Sequence, residues 1–153
     1  LVLTPEGEVR VADFCLARQV LAAPAPKATV DTSVVGTPLY MAPEQLILGS
    51  RLDTRTDLYA LGGVLYEMVV GHPPFGKAAP GAPTIAGGFG GSTPDVFHHV
   101  ANTEPVPPSR FRPEVTPELD AVCLRLLAKK PDERFPTPEA LLAALAAMVP
   151  PAP

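Results

Sequence analysis

Four short features with reactive or charge-bearing side chains follow one another along this sequence. They are Asp13-Phe14-Cys15, Gly36-Thr37-Pro38-Leu39-Tyr40, Ala42-Pro43-Glu44, and Asp57 at the entrance of an apolar run. Asp13 follows a short strand pattern. A carboxylate at a strand end is held rigidly, which suits either a hard divalent cation or a plain strand-end cap. Thr29, Thr32 and Ser33 lie shortly before Gly36 and, read singly, are solvated hydroxyls. Ala42-Pro43-Glu44 alone is an ordinary helix start. Arg134, in Pro131-Asp132-Glu133-Arg134-Phe135, falls in a turn pattern between two apolar stretches, where a guanidinium can bind a carboxylate through two charge-assisted bonds. Cys15 and Cys123 match no metal-ligand spacing, and His72, His98 and His99 form no cluster with them.

The elements that must carry these groups are marked by a recurring Thr-Pro-acidic tripeptide. At Thr116-Pro117-Glu118 and Thr137-Pro138-Glu139 an apolar helical period follows. Thr then serves as N-cap, Pro fits the first helical position, and the carboxylate sits at the positive end of the helix dipole. One helix is predicted to bury Leu119, Val122, Cys123, Leu126 and Leu127; the other buries Leu141, Leu142, Leu145 and Met148 and stops at Pro150-Pro151. Thr93-Pro94-Asp95 starts a shorter helix through Val96, Phe97 and Val100. Thr4-Pro5-Glu6-Gly7, between Leu1-Val2-Leu3 and Val9-Arg10-Val11, reads instead as a hairpin turn. A longer helix begins near Asp53-Thr54, with Asp57 closing a capping-box pattern, and runs through Leu58, Leu61, Leu65, Met68 and Val69 to Gly71. It is apolar on nearly every face, so it is predicted to be the central buried helix; it carries Glu67 and is too short to span a bilayer.

Composition bounds the class of protein. The 153 residues carry 12 Lys+Arg against 16 Asp+Glu, a net charge of −4, which argues against a nucleic-acid binder working through a basic surface. The 46% hydrophobic content suffices for a core despite 21 Pro and 12 Gly. That excess is local: residues 19–35 show no helical stripe, and 76–92 read as a flexible Gly/Ala/Pro-rich insertion. The two cysteines are expected to be free thiols in a reducing compartment, and the start has no signal-peptide pattern. The absence of an initiating Met suggests a piece of a longer reading frame.

Taken together and in order, the runs "GTPLYMAPEQ", "DLYALGGVLYEMVVGHPPF" and "LLAKKPDERF" resemble the C-terminal half of a protein serine/threonine kinase domain of the bacterial eukaryotic-type family. The resemblance implies an incomplete domain: a kinase-like large lobe, mainly α, opened by a short β-hairpin. Its parts are a partial kinase domain over 1–149 and a Pro-rich tail at 150–153. Within the first, residues 1–12 are the hairpin, 13–44 the activation segment and 53–149 a helical subdomain.

Several roles follow from the resemblance alone. Asp13 matches the Mg²⁺-binding Asp, and Phe14 the aromatic residue whose packing separates active from inactive states. Cys15 stands where the family almost always has Gly; a side chain there costs about 1–3 kcal/mol when φ is positive. Residues 16–36 match the activation loop, with Thr29, Thr32 and Ser33 as candidate regulatory phosphorylation sites. Thr37 matches the residue that positions the acceptor hydroxyl. Gly36, Thr37, Pro38, Leu39 and Tyr40 match the substrate-binding wall, in a form that favours serine/threonine over tyrosine. Glu44 and Arg134 match a buried structural ion pair, and Asp57 the helix-start carboxylate that braces the catalytic loop.

The resemblance also implies what the 153 residues lack: a glycine-rich phosphate loop, a strand Lys, and a catalytic Asp and Asn. The intact kinase would transfer the ATP γ-phosphate, with Mg²⁺, to Ser/Thr of protein substrates. This polypeptide alone is expected to be inactive and to bind neither cofactor tightly. The partners implied are protein substrates and the N-terminal part of the kinase domain, with no nucleic acid and no membrane segment in this chain. The expected location is the cytoplasm, with anchoring of the intact protein left to other segments. An apolar patch is expected where the N-terminal part would pack. The alternative is a non-catalytic, pseudokinase-like protein-binding module, which Cys15 and the insertion favour.

Overall fold

The computed structural model describes residues 2–10, 38–47, 49–75 and 93–148. Val2–Leu3 (β1) and Val9–Arg10 (β2) pair antiparallel, with Val2 opposite Arg10 and Leu3 opposite Val9. The turn between them closes through the Gly7 N–H donating to the Thr4 carbonyl at 3.0 Å, with Gly7 at φ 83°, a torsion that favours glycine. The remaining described residues form a mainly helical unit: α1 (Thr54–Val70), α2 (Thr93–Asn102), α3 (Pro117–Leu126) and α4 (Pro138–Ala146). Short 3₁₀ turns stand at Pro38–Tyr40, Pro43–Leu46, Pro108–Arg110 and Pro131–Glu133.

Helix starts follow the side-chain chemistry. Thr116 accepts from the Leu119 N–H and Thr137 from the Ala140 N–H, each satisfying a donor that the first helical turn leaves unpaired. Asp53 caps α1 by accepting from the Arg55 N–H at 2.9 Å. The capping-box role expected of Asp57 is not found: Thr56 occupies the position the box requires and turns its hydroxyl to Glu44, while Asp57 is exposed. Gly71 ends α1 at φ 91°, donating its N–H to the Glu67 carbonyl at 2.7 Å.

Two apolar clusters flank α1. Tyr59, Tyr66 and Val70 join Ala42, Phe75, Val96, Val100 and Leu127 on one side. Leu58 joins Val122, Leu126, Phe135 and Leu141 on the other, with Leu65, Leu145 and Met148 packed against them. The near-uniform burial expected of α1 is corrected here. Leu61 and Met68 stay exposed, at 40% and 78%, because the two clusters occupy only part of the helix circumference. Leu142 is also exposed, since Leu141 takes the inward position on α4. Between α1 and α3 the backbones approach closely at Gly62, where an added Cβ would lie 2.6 Å from Leu126 Cβ.

The insertion expected at 76–92 lies outside the described residues, as does the Pro-rich tail at 150–153. No helix among the described residues is long and apolar enough to cross a membrane.

Candidate functional site

The chain from Pro38 to Leu46 lies against α1 and is fastened at two points. The first is Tyr40. Its ring rests on Gly63, where a Cβ would come within 3.0 Å of Tyr40 Cδ1, so glycine leaves room for the aromatic side chain. Its hydroxyl donates a short hydrogen bond to the Glu67 carboxylate. Burial, with this acceptor beside it, pushes the Tyr40 phenol up to about 12. The bond explains how an apolar helix carries a carboxylate: Glu67 accepts from a hydroxyl of the neighbouring segment.

The second point is Glu44, in the 3₁₀ turn that begins at Pro43. Gln45 secures the entry to this turn by accepting from the Ala42 N–H at 2.7 Å. Arg134 Nη1 and Nη2 reach separate oxygens of the Glu44 carboxylate, each at 2.7 Å. Both side chains are buried, Arg134 to 1% exposure and Glu44 to 8%. The other donors of the guanidinium go to main-chain carbonyls: Nη1 to Arg55 at 2.9 Å, Nη2 to Lys129 at 3.1 Å and Nε to Ala128 at 2.8 Å. All five N–H donors of the guanidinium are thereby used. The Tyr59 ring lies 4.8 Å from its central carbon, and Thr56 Oγ1 adds a 3.0 Å bond to Glu44. Burial, the largest influence, would raise the Glu44 pKa; the bonds and charge of Arg134, the Glu44 backbone N–H and the Thr56 hydroxyl together outweigh it, so the carboxyl sits below its ordinary range.

A more exposed tether joins the start of α1 to the turn just before Arg134. Arg55 binds Asp53 at 2.7 Å and reaches Asp132, in the turn before Arg134, at 2.5 Å. Asp53 is held below its usual range, first by its bonds from Arg55. On the described residues alone, the arrangement is a braced wall. It ties Tyr40 to Glu67 and seats Leu39 on an apolar cluster, but it brings together no nucleophile and base. Among those residues there is also no group of three His, Cys, Asp or Glu that could hold a metal ion.

Comparison with known proteins shows the family. The sequence model of the protein kinase domain matches residues 1–144. The chain belongs to the protein kinase domain family. It is 41% identical over 137 residues to the serine/threonine-protein kinase PknB of Mycolicibacterium smegmatis, covering 90% of this chain and 20% of that protein. It is 38% identical over 135 residues to a probable serine/threonine-protein kinase of Streptomyces coelicolor, covering 88% of this chain and 18% of that one. With a probable PknB of Corynebacterium glutamicum it shares 37% identity over 149 residues, 95% of this chain and 21% of the relative. The chain thus spans about a fifth of the length of these relatives.

Of the positions singled out by the kinase resemblance, Asp13, Phe14, Cys15, Thr29, Thr32, Ser33, Gly36 and Thr37 lie outside the described residues. The backbone of Pro38 opens the first 3₁₀ turn of the wall, and Leu39 is half-buried against the apolar cluster that contains Tyr59 and Val100. Glu44 and Arg134 meet; Asp57 meets neither and faces solvent. Glu67 is the residue that sequence reasoning missed. The signal was available, since a lone carboxylate in a strongly apolar helix calls for a donor nearby.

Cys123, on α3, is fully buried, and burial pushes its thiol up to about 11, which keeps it in the unreactive protonated form.

Proposed function

We propose that this kinase-family chain is the activation segment and helical subdomain of a serine/threonine kinase that moves the ATP γ-phosphate to protein hydroxyls. By itself, the chain is inactive. The match of residues 1–144 to the kinase domain carries the reading, and the Tyr40–Glu67 and Glu44–Arg134 braces support it. They hold the wall on which a substrate segment would rest.

In the intact kinase, Asp13 would hold Mg²⁺, which supplies neutralisation of phosphate charge. Asp13 stands outside the described residues. Gly36, Thr37, Pro38, Leu39 and Tyr40 would hold the acceptor residue, and Thr29, Thr32 and Ser33 would be the hydroxyls at which phosphorylation regulates. Inactivity of the chain alone follows from chemistry. Its 153-residue sequence contains no G-x-G-x-x-G pattern, no Lys in a strand pattern and no His-Arg-Asp-type catalytic loop with its Asn. Phosphoryl transfer depends almost wholly on positioning and charge neutralisation by such groups. The open face of α1 supports the same reading. Asp57, Leu61, Val64 and Met68 recur at helical spacing along it, where a catalytic loop and an earlier helix would pack.

The deciding experiment measures transfer of labelled phosphate from ATP to a generic basic protein. The purified chain should give none above background. A chimera that prefixes the N-terminal part of the M. smegmatis PknB kinase domain should gain activity, and Asp13→Asn within it should lose about 100-fold or more. Transfer by the chain alone would refute the inactivity. A folded chimera without transfer would turn the reading toward the second one, a non-catalytic binding module. Cys15 is the feature that favours that alternative, so activity appearing only with Cys15→Gly would single it out as the inactivating residue.

A further inference from the structure

Lys129 occupies a junction that the kinase reading does not use. Its Nζ donates to the Val100 carbonyl at 2.8 Å and approaches the His99 carbonyl at 3.5 Å, both in the last turn of α2. The same ammonium lies 4.0 Å from the centroid of the Phe75 ring, which is buried just beyond the end of α1. Carbonyls at a helix C-terminus carry partial negative charge, and an aromatic face also favours a cation; the His99 carbonyl already accepts from the Thr103 N–H at 2.9 Å, so Val100 is the carbonyl that Lys129 chiefly serves. One side chain therefore joins the end of α2 to the segment after α1. Its own carbonyl accepts from Arg134 Nη2 at 3.1 Å, and the adjacent Ala128 carbonyl accepts from Nε at 2.8 Å.

We propose that Lys129 is a positioning residue that links the Glu44–Arg134 tether to the C-terminal turn of α2, so that loosening the tether is felt at α2. Through its main chain Lys129 is fixed by the guanidinium that holds Glu44; through its side chain it fixes α2. A loss of Arg134 order displaces the Lys129 backbone and withdraws the donor from Val100. The inference concerns the fold's mechanics and stands whether or not the chain belongs to an active kinase.

Amide hydrogen exchange of the full 153-residue chain tests it, using amides 97–104 as reporter and those of α3 as internal control. Lys129→Met keeps the stem and removes the ammonium, so exchange at 97–104 should quicken about tenfold while α3 stays unchanged. Lys129→Arg, which keeps charge and donors, should restore protection to within about threefold. Glu44→Gln should also quicken the reporter amides in the wild-type background, but by less than about twofold once Lys129→Met is present. No change in Lys129→Met would overturn the proposal. So would equal loss of protection in α3, which would make Lys129 a support of the whole unit. Full additivity of the Glu44 and Lys129 variants would overturn the link between them.

Discussion

Glu44 and Arg134, 90 positions apart in sequence, share two bonds of 2.7 Å inside the helical unit, and every other guanidinium donor ends on a carbonyl. The pair closes the long-range contact between the segment that holds the wall and the turn that precedes α4. Removing either partner strands the other in a desolvated site. Arg134→Met and Glu44→Ala should therefore each lower unfolding free energy by about 3–5 kcal/mol, read by urea denaturation. The double replacement Glu44→Leu with Arg134→Met should cost clearly less than the sum of the singles, because it leaves no unpaired charge. Single variants within about 1 kcal/mol of the parent would mean that the pair is hydrated and contributes little.

The same pair sets an acid limit. Glu44 has a folded pKa below its ordinary 4.5, because the Arg134 bonds and charge, with the Glu44 backbone N–H and Thr56, together outweigh burial. In this acid range the unfolded chain binds protons more readily than the folded one. The stability from Glu44 is fully present above about pH 4.5 and is lost as pH falls through the folded value. Asp53, also lowered from its ordinary 3.8, acts in the same direction. Urea midpoints should hence fall as pH drops below about 4.5, and the fall should be shallower in Arg134→Met, whose Glu44 has lost the bonds and charge that favour its ionised form. Parallel slopes in both proteins would assign the acid sensitivity elsewhere.

Gly62 tests whether packing or helix propensity wins within α1. Glycine to alanine inside a helix ordinarily gains up to about 1 kcal/mol. Here the new Cβ would meet Leu126 Cβ at 2.6 Å, and a Cβ cannot rotate away. Overpacking between two helices costs about 1–3 kcal/mol, so Gly62→Ala should be destabilising. Gly63→Ala should be milder, because its neighbour at 3.0 Å is the edge of the Tyr40 ring, which can shift. A stabilised Gly62→Ala would show that α1 and α3 are less closely packed than described.

Tyr40 offers a spectroscopic check. Its phenol, pushed up to about 12 by burial and by Glu67, should ionise well above an ordinary tyrosine. In Glu67→Gln the acceptor loses its charge, and the ultraviolet titration of Tyr40 should move back toward 10.0 while burial keeps it somewhat high. Tyr40→Phe should cost about 1.5–3 kcal/mol, since it strands a partly buried carboxylate. An unmoved titration in Glu67→Gln would place the two groups apart in solution.

Much of this arrangement was legible because its signals are local. Thr116-Pro117 and Thr137-Pro138 announce α3 and α4 through capping chemistry that acts within one turn, and Asp53 and Gly71 bound α1 in the same way. The open face of α1 was not legible. A helix apolar nearly all round carries no stripe, so only the tertiary packing decides that Leu58 and Tyr66 go inward while Leu61 and Met68 do not. Asp57 was misread as a capping residue because it stands one position past the one the box requires, a distinction below the precision of a sequence pattern. Lys129, beside Lys130 in a charged turn, has the sequence appearance of a solvated group, and only the fold brings Val100 and Phe75 to it.

The exposed face of α1 has a consequence in solution. Leu61 at 40% exposure and Met68 at 78% lie seven positions apart, hence on one side of the helix, with Val64 half-buried between them. Water gains from their removal at about 25 cal/mol per Å² of apolar surface, and a second copy of the chain can provide that cover. Sedimentation velocity should then show concentration-dependent association of the 153-residue chain. Leu61→Lys with Met68→Lys should shift it toward the monomer, while urea stability changes by only about 0.5 kcal/mol, since neither side chain supports the core. The charge substitution acts on the associated state through desolvation of two ammonium groups, which the separate chain never suffers. A parent chain that remains monomeric across the same concentrations would mean that this face is too small or too irregular to drive association.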